Sequence, residues 1–338
     1  MELSVIVVNT NQRDRLRSCL QALERARLPQ PHEIIVVDNA SLDGSADMVA
    51  TEFPSVHLVP REERAGPAAN YNVGFERARG RYLVVLNEDA EVTEDALAIL
   101  YDYLEAHPEV AVAGPRLLYP DGRPQWCCHR FPGLASVVKR LILQAYFDNA
   151  WVQDQLPEER RLERCDPDWI MATSLMIRRE ALDSVGRYDE GFVVYYEEVD
   201  LCRRLRGRGW RVSWLPEAVV YHHHGVSQFR LRREWDVMLR ELLYRSRYYY
   251  FRKHHGSLFA GAVRLAEGML FAVYAAKAGC EALVPLYREQ AWWKRRLYLR
   301  LAGVALAGKG CRTLPPVVRP LPTQPTAQPQ ALPQSLQP

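Results

Sequence analysis

Residues 84–92 read V-V-L-N-E-D-A-E-V, an apolar run that stops abruptly in Asn87, Glu88 and Asp89. A buried strand ending in this way carries its acidic side chains on a rigid element. In an open α/β sheet, ligands bind beyond the carboxyl ends of the strands. A carboxylate there is suited to hold a divalent cation against a diphosphate. The same pattern also occurs as a plain acidic turn, so its meaning rests on the other chemistry-bearing patterns of the chain.

Several such patterns follow one another. V-V-D-N-A-S-L-D-G-S at 36–45 closes a second apolar run with Asp38 and Asn39, then adds Asp43-Gly44, which reads equally well as a simple turn. N-Y-N-V-G at 70–74 places Asn72 in the next helical region. G-R-Y-D-E-G-F at 186–192, Y-Y-E-E-V-D-L-C-R-R at 195–204 and Y-H-H-H-G-V-S at 221–227 lie far downstream. Glu197 and Glu198 have a plain reading as helix N-terminal carboxylates stabilised by the helix dipole. Of the three histidines, only His222 and His224 share a face of an alternating strand, so the run does not make a metal site by itself.

The elements that must position these groups follow from periodicity. Apolar strand patterns at 3–8, 33–38, 56–59, 81–87 and 110–118 alternate with helical patterns that include Leu16, Cys19, Leu20 and Leu23. Further helices are expected over 45–53, 68–78 and from Thr93, as a cap, to 107. This rhythm predicts an α/β fold with a mostly parallel sheet and helices on both faces. Beyond 120 the pattern is less regular. A helix is expected over 134–147, a strand over 169–177, a helix over 197–206, and short strands at 210–214 and 219–222.

Composition narrows the function classes. The chain has 338 residues, 48% hydrophobic and 25% charged, with a formal net charge of +3. That balance argues against a dedicated nucleic-acid binder. Seven scattered cysteines without a C-x-x-C pair suggest reduced thiols in a cytoplasmic compartment. The apolar run at 3–8 is too short for a secretory h-region and is read as the first strand.

The ordered set of motifs resembles family 2 of the inverting glycosyltransferases, with the GT-A nucleotide-diphospho-sugar transferase fold, and within it the rhamnosyltransferase-like members that build cell-surface polysaccharide. The resemblance covers about residues 2–230. It implies a single-displacement transfer from a dTDP-, UDP- or GDP-linked sugar, rhamnose among them, to a hydroxyl of a saccharide or lipid-linked acceptor, assisted by Mg²⁺ or Mn²⁺. Asp89 matches the second acidic residue of the D-x-D-like motif and is implied as a metal ligand, with Asn87 at the first position and Glu88 where many members carry proline. His222 matches the histidine of H-x-x-G-x-S and is implied at the metal or diphosphate. Asp38 is implied to accept the pyrimidine N3–H. Thr10 and Asn11 would lie beside the base, and Asn39, Asp43 and Asn72 near the nucleotide. The implied base, which takes the acceptor proton, is Glu198, where the family carries aspartate; Glu197 is the second choice. Asp168, Trp169 and Ala172 match the acceptor-site segment, with Ala172 in the place of a glycine, and Arg178-Arg179 ends it. An alternative from another class is a non-catalytic sugar-nucleotide or polysaccharide scaffold at a membrane assembly.

These readings divide the chain into a transferase unit at 1–230 (nucleotide half 1–118, acceptor half 119–230), a helical region at 231–312 and a Pro/Gln-rich disordered tail at 313–338. The helical region is interrupted by charges, so a bilayer span is not expected. Its aromatic and basic residues, as in W-W-K-R-R at 292–296, suit peripheral contact with the inner face of the cell membrane, or a homodimer face.

Overall fold

The computed structural model describes residues 1–143, 163–223 and 233–308. The chain begins with β1 (Leu3–Asn9), α1 (Arg13–Arg25), β2 (His32–Asp38), α2 (Ser45–Glu52), β3 (His57–Pro60), α3 (Pro67–Arg77) and β4 (Tyr82–Asn87). All seven residues of β1 are buried, which suits a central strand covered on both faces. β1 lies between β2 and β4 and is parallel to both, with Asn9 opposite Asp38 and Val8 opposite Asn87. The carboxyl ends of three strands therefore meet at one edge.

The chain continues through β5 (Ala90–Val92), α4 (Ala96–Ala106), β6 (Val110–Leu118), β7 (Pro124–Gln125), β8 (Cys128–His129) and α5 (Leu134–Leu143). After the next described segment come β9 (Trp169–Ile170), β10 (Ser174–Arg178), α6 (Arg179–Val185), α7 (Glu197–Gly207) and β11 (Arg211–His222). The main sheet has nine strands in the order β3-β2-β1-β4-β10-β6-β11-β5, with β7 on β6. β8 and β9 form a separate antiparallel pair.

Three expectations are corrected here, and one falls partly outside the described residues. The strand expected over 169–177 divides into β9, in the small sheet, and β10, which inserts antiparallel between β4 and β6. The two short strands near 210–222 are one strand with an irregularity between Leu215 and Val219. Thr93 does not cap α4: its hydroxyl donates to the Val219 carbonyl, a tie to β11. The helix from 134 is described to Leu143, and its expected end at 147 lies outside the described residues.

Three helices follow: α8 (Arg233–His255), α9 (Ser257–Glu281) and α10 (Arg288–Ala307). They pack on one another through side chains that include Tyr244, Phe271, Leu297 and Leu301. α9 has a mean hydropathy of 1.5 over 18 residues and is long and apolar enough to cross a membrane by length and composition, contrary to the expectation from its charges.

Candidate active site

The acidic end of β4 is built first. Asn87 still belongs to the strand, and its Oδ1 accepts from the buried Tyr71 hydroxyl at 3.1 Å. Its backbone N–H donates to the Thr173 carbonyl. Glu88 follows, half-buried, with its carboxylate accepting from the Thr10 backbone N–H. Burial, together with the adjacent Asp89 charge, pushes the Glu88 carboxyl up to about 8. Asp89 Oδ1 lies 3.2 Å from Nε2 of His222, the last residue of β11. β11 reaches this point because β5 pairs with it antiparallel, setting His222 opposite Ala90.

His222 is oriented by a residue that gave no signal in the sequence. Gln125 Nε2 donates to the His222 carbonyl at 2.5 Å, and its Oε1 faces His222 Nδ1 at 2.8 Å. The first bond fixes the amide orientation, so Nδ1 carries the proton that meets Oε1. Nε2 is thereby turned toward the Asp89 carboxylate. A nitrogen and a carboxylate oxygen are a suitable donor set for Mn²⁺ or Mg²⁺, which complete their shells with substrate phosphate and water. Among the described residues no group of three or more histidine, cysteine or carboxylate side chains stands ready to hold a metal by itself. His224, Gly225 and Ser227 lie outside the described residues. His223, next in the run, is held between Arg15 Nη1 at 2.9 Å and Glu91 Oε1 at 2.8 Å.

The second acidic group opens α7. Glu197 and Glu198 are its first two residues and both are buried. Burial raises both carboxyls, Glu197 well above the usual range and Glu198 to about 7. Hydrogen bonds from the Val199 and Ala172 backbone N–H groups favour ionised Glu198. The Glu198 charge in turn raises Glu197. One oxygen of each carboxylate, and the buried Tyr188 hydroxyl, have no hydrogen-bond partner. The helix is entered through Tyr195 and Tyr196 at φ 68° and 74°. Each left-handed non-glycine residue costs on the order of 1–3 kcal/mol, a cost that persists only where surrounding contacts impose it. Asp200, in the same turn, is not part of the open site. Burial raises its carboxyl, but bonds from His254, Lys253 and Arg204 outweigh this and hold it at about 2.

One turn joins the two acidic groups. Thr173 accepts the Asn87 N–H, while its neighbour Ala172 donates to Glu198. Antiparallel β10 starts there, with Ser174 opposite Leu86 at the end of β4.

Around the end of β2 the expected nucleotide residues meet the chain itself. Asp38 is 3% exposed, with Oδ1 accepting from Asn9 Nδ2 and Oδ2 from the Ser41 N–H. Asn39 donates to the Thr10 hydroxyl and exchanges two bonds with the Ala65 backbone. Asn11 binds Ser41 and Leu42. Asp43 accepts from the Arg13 and Ser45 N–H groups and so orders the two helix starts. Asn72 binds the Tyr188 backbone and Glu190, tying α3 to the 188–190 loop. These amides and Asp43 shape the loops; Thr10 and Asp38 stand nearest the strand ends.

The expected acceptor segment divides. Ala172 lies at Glu198, as described. Trp169 is 4% exposed, stacked on His129 with its indole N–H on the Arg130 carbonyl, so no face is presented to a sugar. Asp168 binds the Phe131 N–H and orders the β8–β9 hairpin. Arg178 and Arg179 lie at the opposite end of the sheet from Asp89, because β10 runs antiparallel and sets Arg178 opposite Tyr82. They bind backbone carbonyls there, among them Leu104 and Gly80.

A mixed sheet, parallel through β3, β2, β1 and β4 and antiparallel at the inserted β10, with carboxylates at the end of β4 and an acidic helix start, has the arrangement of a GT-A sugar-nucleotide transferase. Residues 4–186 match the model of glycosyl transferase family 2, more than half of the chain, and the protein belongs to that family. It is a glycosyltransferase, which sets the scaffold alternative aside. It is 26% identical over 248 residues to an N-acetylglucosaminyl-diphospho-decaprenol L-rhamnosyltransferase of Mycobacterium tuberculosis, covering 68% of this chain and 78% of the relative. It is 22% identical over 243 residues to a low-salt glycan biosynthesis hexosyltransferase of Haloferax volcanii, covering 70% and 72%. Among solved structures, its fold is similar to that of GalNAc-T7 with UDP, GalNAc and Mn²⁺ (TM-score 0.53, 17% identity, 75% of this chain and 51% of that one). It is also similar to a mannosyltransferase of Pyrobaculum calidifontis with GDP-Man and Mn²⁺ (TM-score 0.50, 20% identity, 90% and 86%).

Proposed function

We propose that the protein transfers a sugar, with inversion, from a nucleotide-diphosphate donor to a hydroxyl of a lipid-linked saccharide in cell-surface polysaccharide synthesis. The observation that carries this reading is the turn at Ala172–Thr173, which ties the Asn87–Asp89 strand end to the buried Glu197–Glu198 pair. In this reading Asp89 and His222 hold Mg²⁺ or Mn²⁺ together with the donor diphosphate. Held there, the cation would supply positive charge against that developing on the leaving diphosphate. Thr10 and Asp38 lie along the base, and Asp38 accepts an imide N–H through lone pairs that Asn9 and Ser41 leave over.

Glu198 is the base. Two adjacent buried carboxyls do not ionise together readily, and the Ala172 bond favours the charge on Glu198. Its level near neutrality suits proton removal. As the acceptor oxygen bonds to the anomeric carbon, Glu198 takes its proton. The bond from that carbon to the diphosphate breaks, and its electron pair leaves with the diphosphate. The Mycobacterium tuberculosis relative supports rhamnose as the sugar and a polyprenyl-diphosphate saccharide as the acceptor.

We assign residues 1–230 to the transferase unit and 231–312 to a helical unit that meets the membrane. Leu258, Leu265, Met269 and Val273 form an exposed stripe on α9, and Leu286 and Trp292 are also exposed. Exposed Lys277, Arg288 and Arg296 accompany them, a combination suited to an anionic bilayer on the cytoplasmic side. The decisive experiment is a thermal-shift titration with dTDP-, UDP- and GDP-sugars, each with and without Mn²⁺. A metal-dependent rise for one nucleotide supports the donor site and names its base; no rise with any of them removes the reading.

A further inference from the structure

The segment 188–196, which leads into Glu197 and Glu198, is held on one side by α8 and on the other by Asn72 of α3. Ser246, Arg247, Tyr249, Tyr250, Lys253 and His254 recur on α8 at spacings that bring them to one side. Ser246 Oγ donates to the Val194 carbonyl at 2.8 Å. Lys253 Nζ stands between Asp189 Oδ2 at 2.6 Å and Asp200 Oδ1 at 2.8 Å, and so bridges the two ends of the segment. Tyr249 donates to the same Asp189 oxygen, and its ring packs on Phe192 at 4.8 Å. A Cβ on Gly191 would come within 2.8 Å of that tyrosine ring, so the approach is close. The Tyr250 ring lies 5.4 Å from that of left-handed Tyr196. His254 Nε2 reaches Asp200 Oδ1 at 2.7 Å. From the other side Asn72 binds Tyr188 and Glu190.

Two consecutive left-handed tyrosines do not hold their conformation by local preference. Contacts around them must impose it, and α8 supplies the Tyr250 ring against Tyr196 and the Ser246 bond to the adjacent Val194 carbonyl. We infer that α8 is part of the catalytic apparatus: Lys253, with Ser246 and Tyr249, is a positioning residue that fixes the entry to α7 and thereby aims the Glu197–Glu198 carboxylates. The inference rests on the assignment of Glu198 as the base. It also gives the helical region a role beside the sheet, since α8 supplies part of the restraint on the entry to α7.

The test uses the full chain with Lys253→Met, Lys253→Arg and Ser246→Ala. Turnover is read as nucleotide diphosphate released from the sugar nucleotide that shifts the melting temperature. Lys253→Met is expected to lower kcat by about 10- to 100-fold, the scale of a small misplacement of reacting groups, with donor KM nearly unchanged. Lys253→Arg should restore most of the rate, and Ser246→Ala should give a smaller loss of the same kind. Backbone amide exchange at residues 189–200 should quicken in Lys253→Met at temperatures where the rest of the chain stays protected. A loss confined to melting temperature, with kcat intact, makes the contact merely structural and overturns the inference. Unchanged exchange in that segment overturns it as well, independently of activity. If Glu198→Gln keeps the parental turnover while exchange responds as expected, it is the reading of Glu198 as the base that fails.

Discussion

His222 Nε2 and Asp89 Oδ1 stand 3.2 Å apart at the meeting of β11 and the end of β4, and Gln125 turns the imidazole so that this nitrogen faces the carboxylate. The pair offers a nitrogen and a carboxylate oxygen side by side, a donor set that suits a divalent cation. Asp89→Ala and His222→Ala are each expected to abolish the Mn²⁺ dependence of donor-induced thermal stabilisation. Gln125→Ala, which leaves both ligands in place, should weaken Mn²⁺ by about 10- to 100-fold, the usual effect of losing a histidine's orienting partner. Titration calorimetry with Mn²⁺ and nucleotide reads all three, and parental affinity in Gln125→Ala would discard the orientation argument.

Glu198→Gln keeps the size of the side chain and removes the proton acceptor. Transfer should fall by about 10²–10⁴-fold, the contribution of a positioned base. Donor binding should remain close to that of the parent. If turnover survives in Glu198→Gln and is lost in Glu197→Gln, the base is the neighbouring residue.

The same carboxyl leaves a mark on stability. Glu198 is raised from the ordinary 4.5 to about 7, so the folded protein holds its proton more tightly than the unfolded chain. The corresponding stability is fully present below pH 4.5 and is lost as pH rises through about 7. Glu198→Gln does not titrate, so it should be more stable than the parent at mildly alkaline pH, the gap closing toward acid. Melting curves across pH check this, and a gap that widens toward acid has the wrong sign.

Asp200 behaves oppositely. Its carboxyl is held at about 2 against an ordinary 3.8, so its contribution is present above 3.8 and is lost as pH falls through about 2. Asp200→Asn should destabilise the protein at neutral pH by on the order of 3–5 kcal/mol, as expected when one member of a buried ionic cluster is removed. Denaturant unfolding at neutral and strongly acid pH should show the deficit shrinking in acid.

The exposed stripe of α9, together with exposed Leu286 and Trp292, predicts association with vesicles containing anionic lipid. Leu286→Glu combined with Trp292→Glu should reduce co-sedimentation several-fold while leaving the melting temperature near that of the parent, since both side chains are exposed. If the parent does not bind vesicles but sediments as a dimer that the double substitution dissociates, a second copy covers this face instead.

Much of the nucleotide-side architecture was legible in sequence because its signals are local. Alternating apolar runs announced β1, β2, β4 and β6, and the acidic stop at Asn87–Asp89 marked the end of β4. Trp169 misled because an aromatic residue in a motif looks the same whether its face is open or stacked on His129. Asn39 and Asn72 carry side chains that suit a nucleotide, yet equally suit the loop backbone they bind. Arg178-Arg179 sat close in sequence to the expected acceptor residues, but an antiparallel strand carried them to the far end of the sheet.

By itself, then, the sequence determined the alternation of strands and helices, the family and the chemical types gathered in the site, because those depend on periodicity and on short ordered motifs. The tertiary structure decided which of these groups meet. Gln125 orients His222 across 97 residues, and Lys253 reaches Asp189 across 64. No local spacing encodes such contacts. They follow from strand order, from the direction of β10 and from the docking of α8, all of which are settled when the chain packs its apolar faces together.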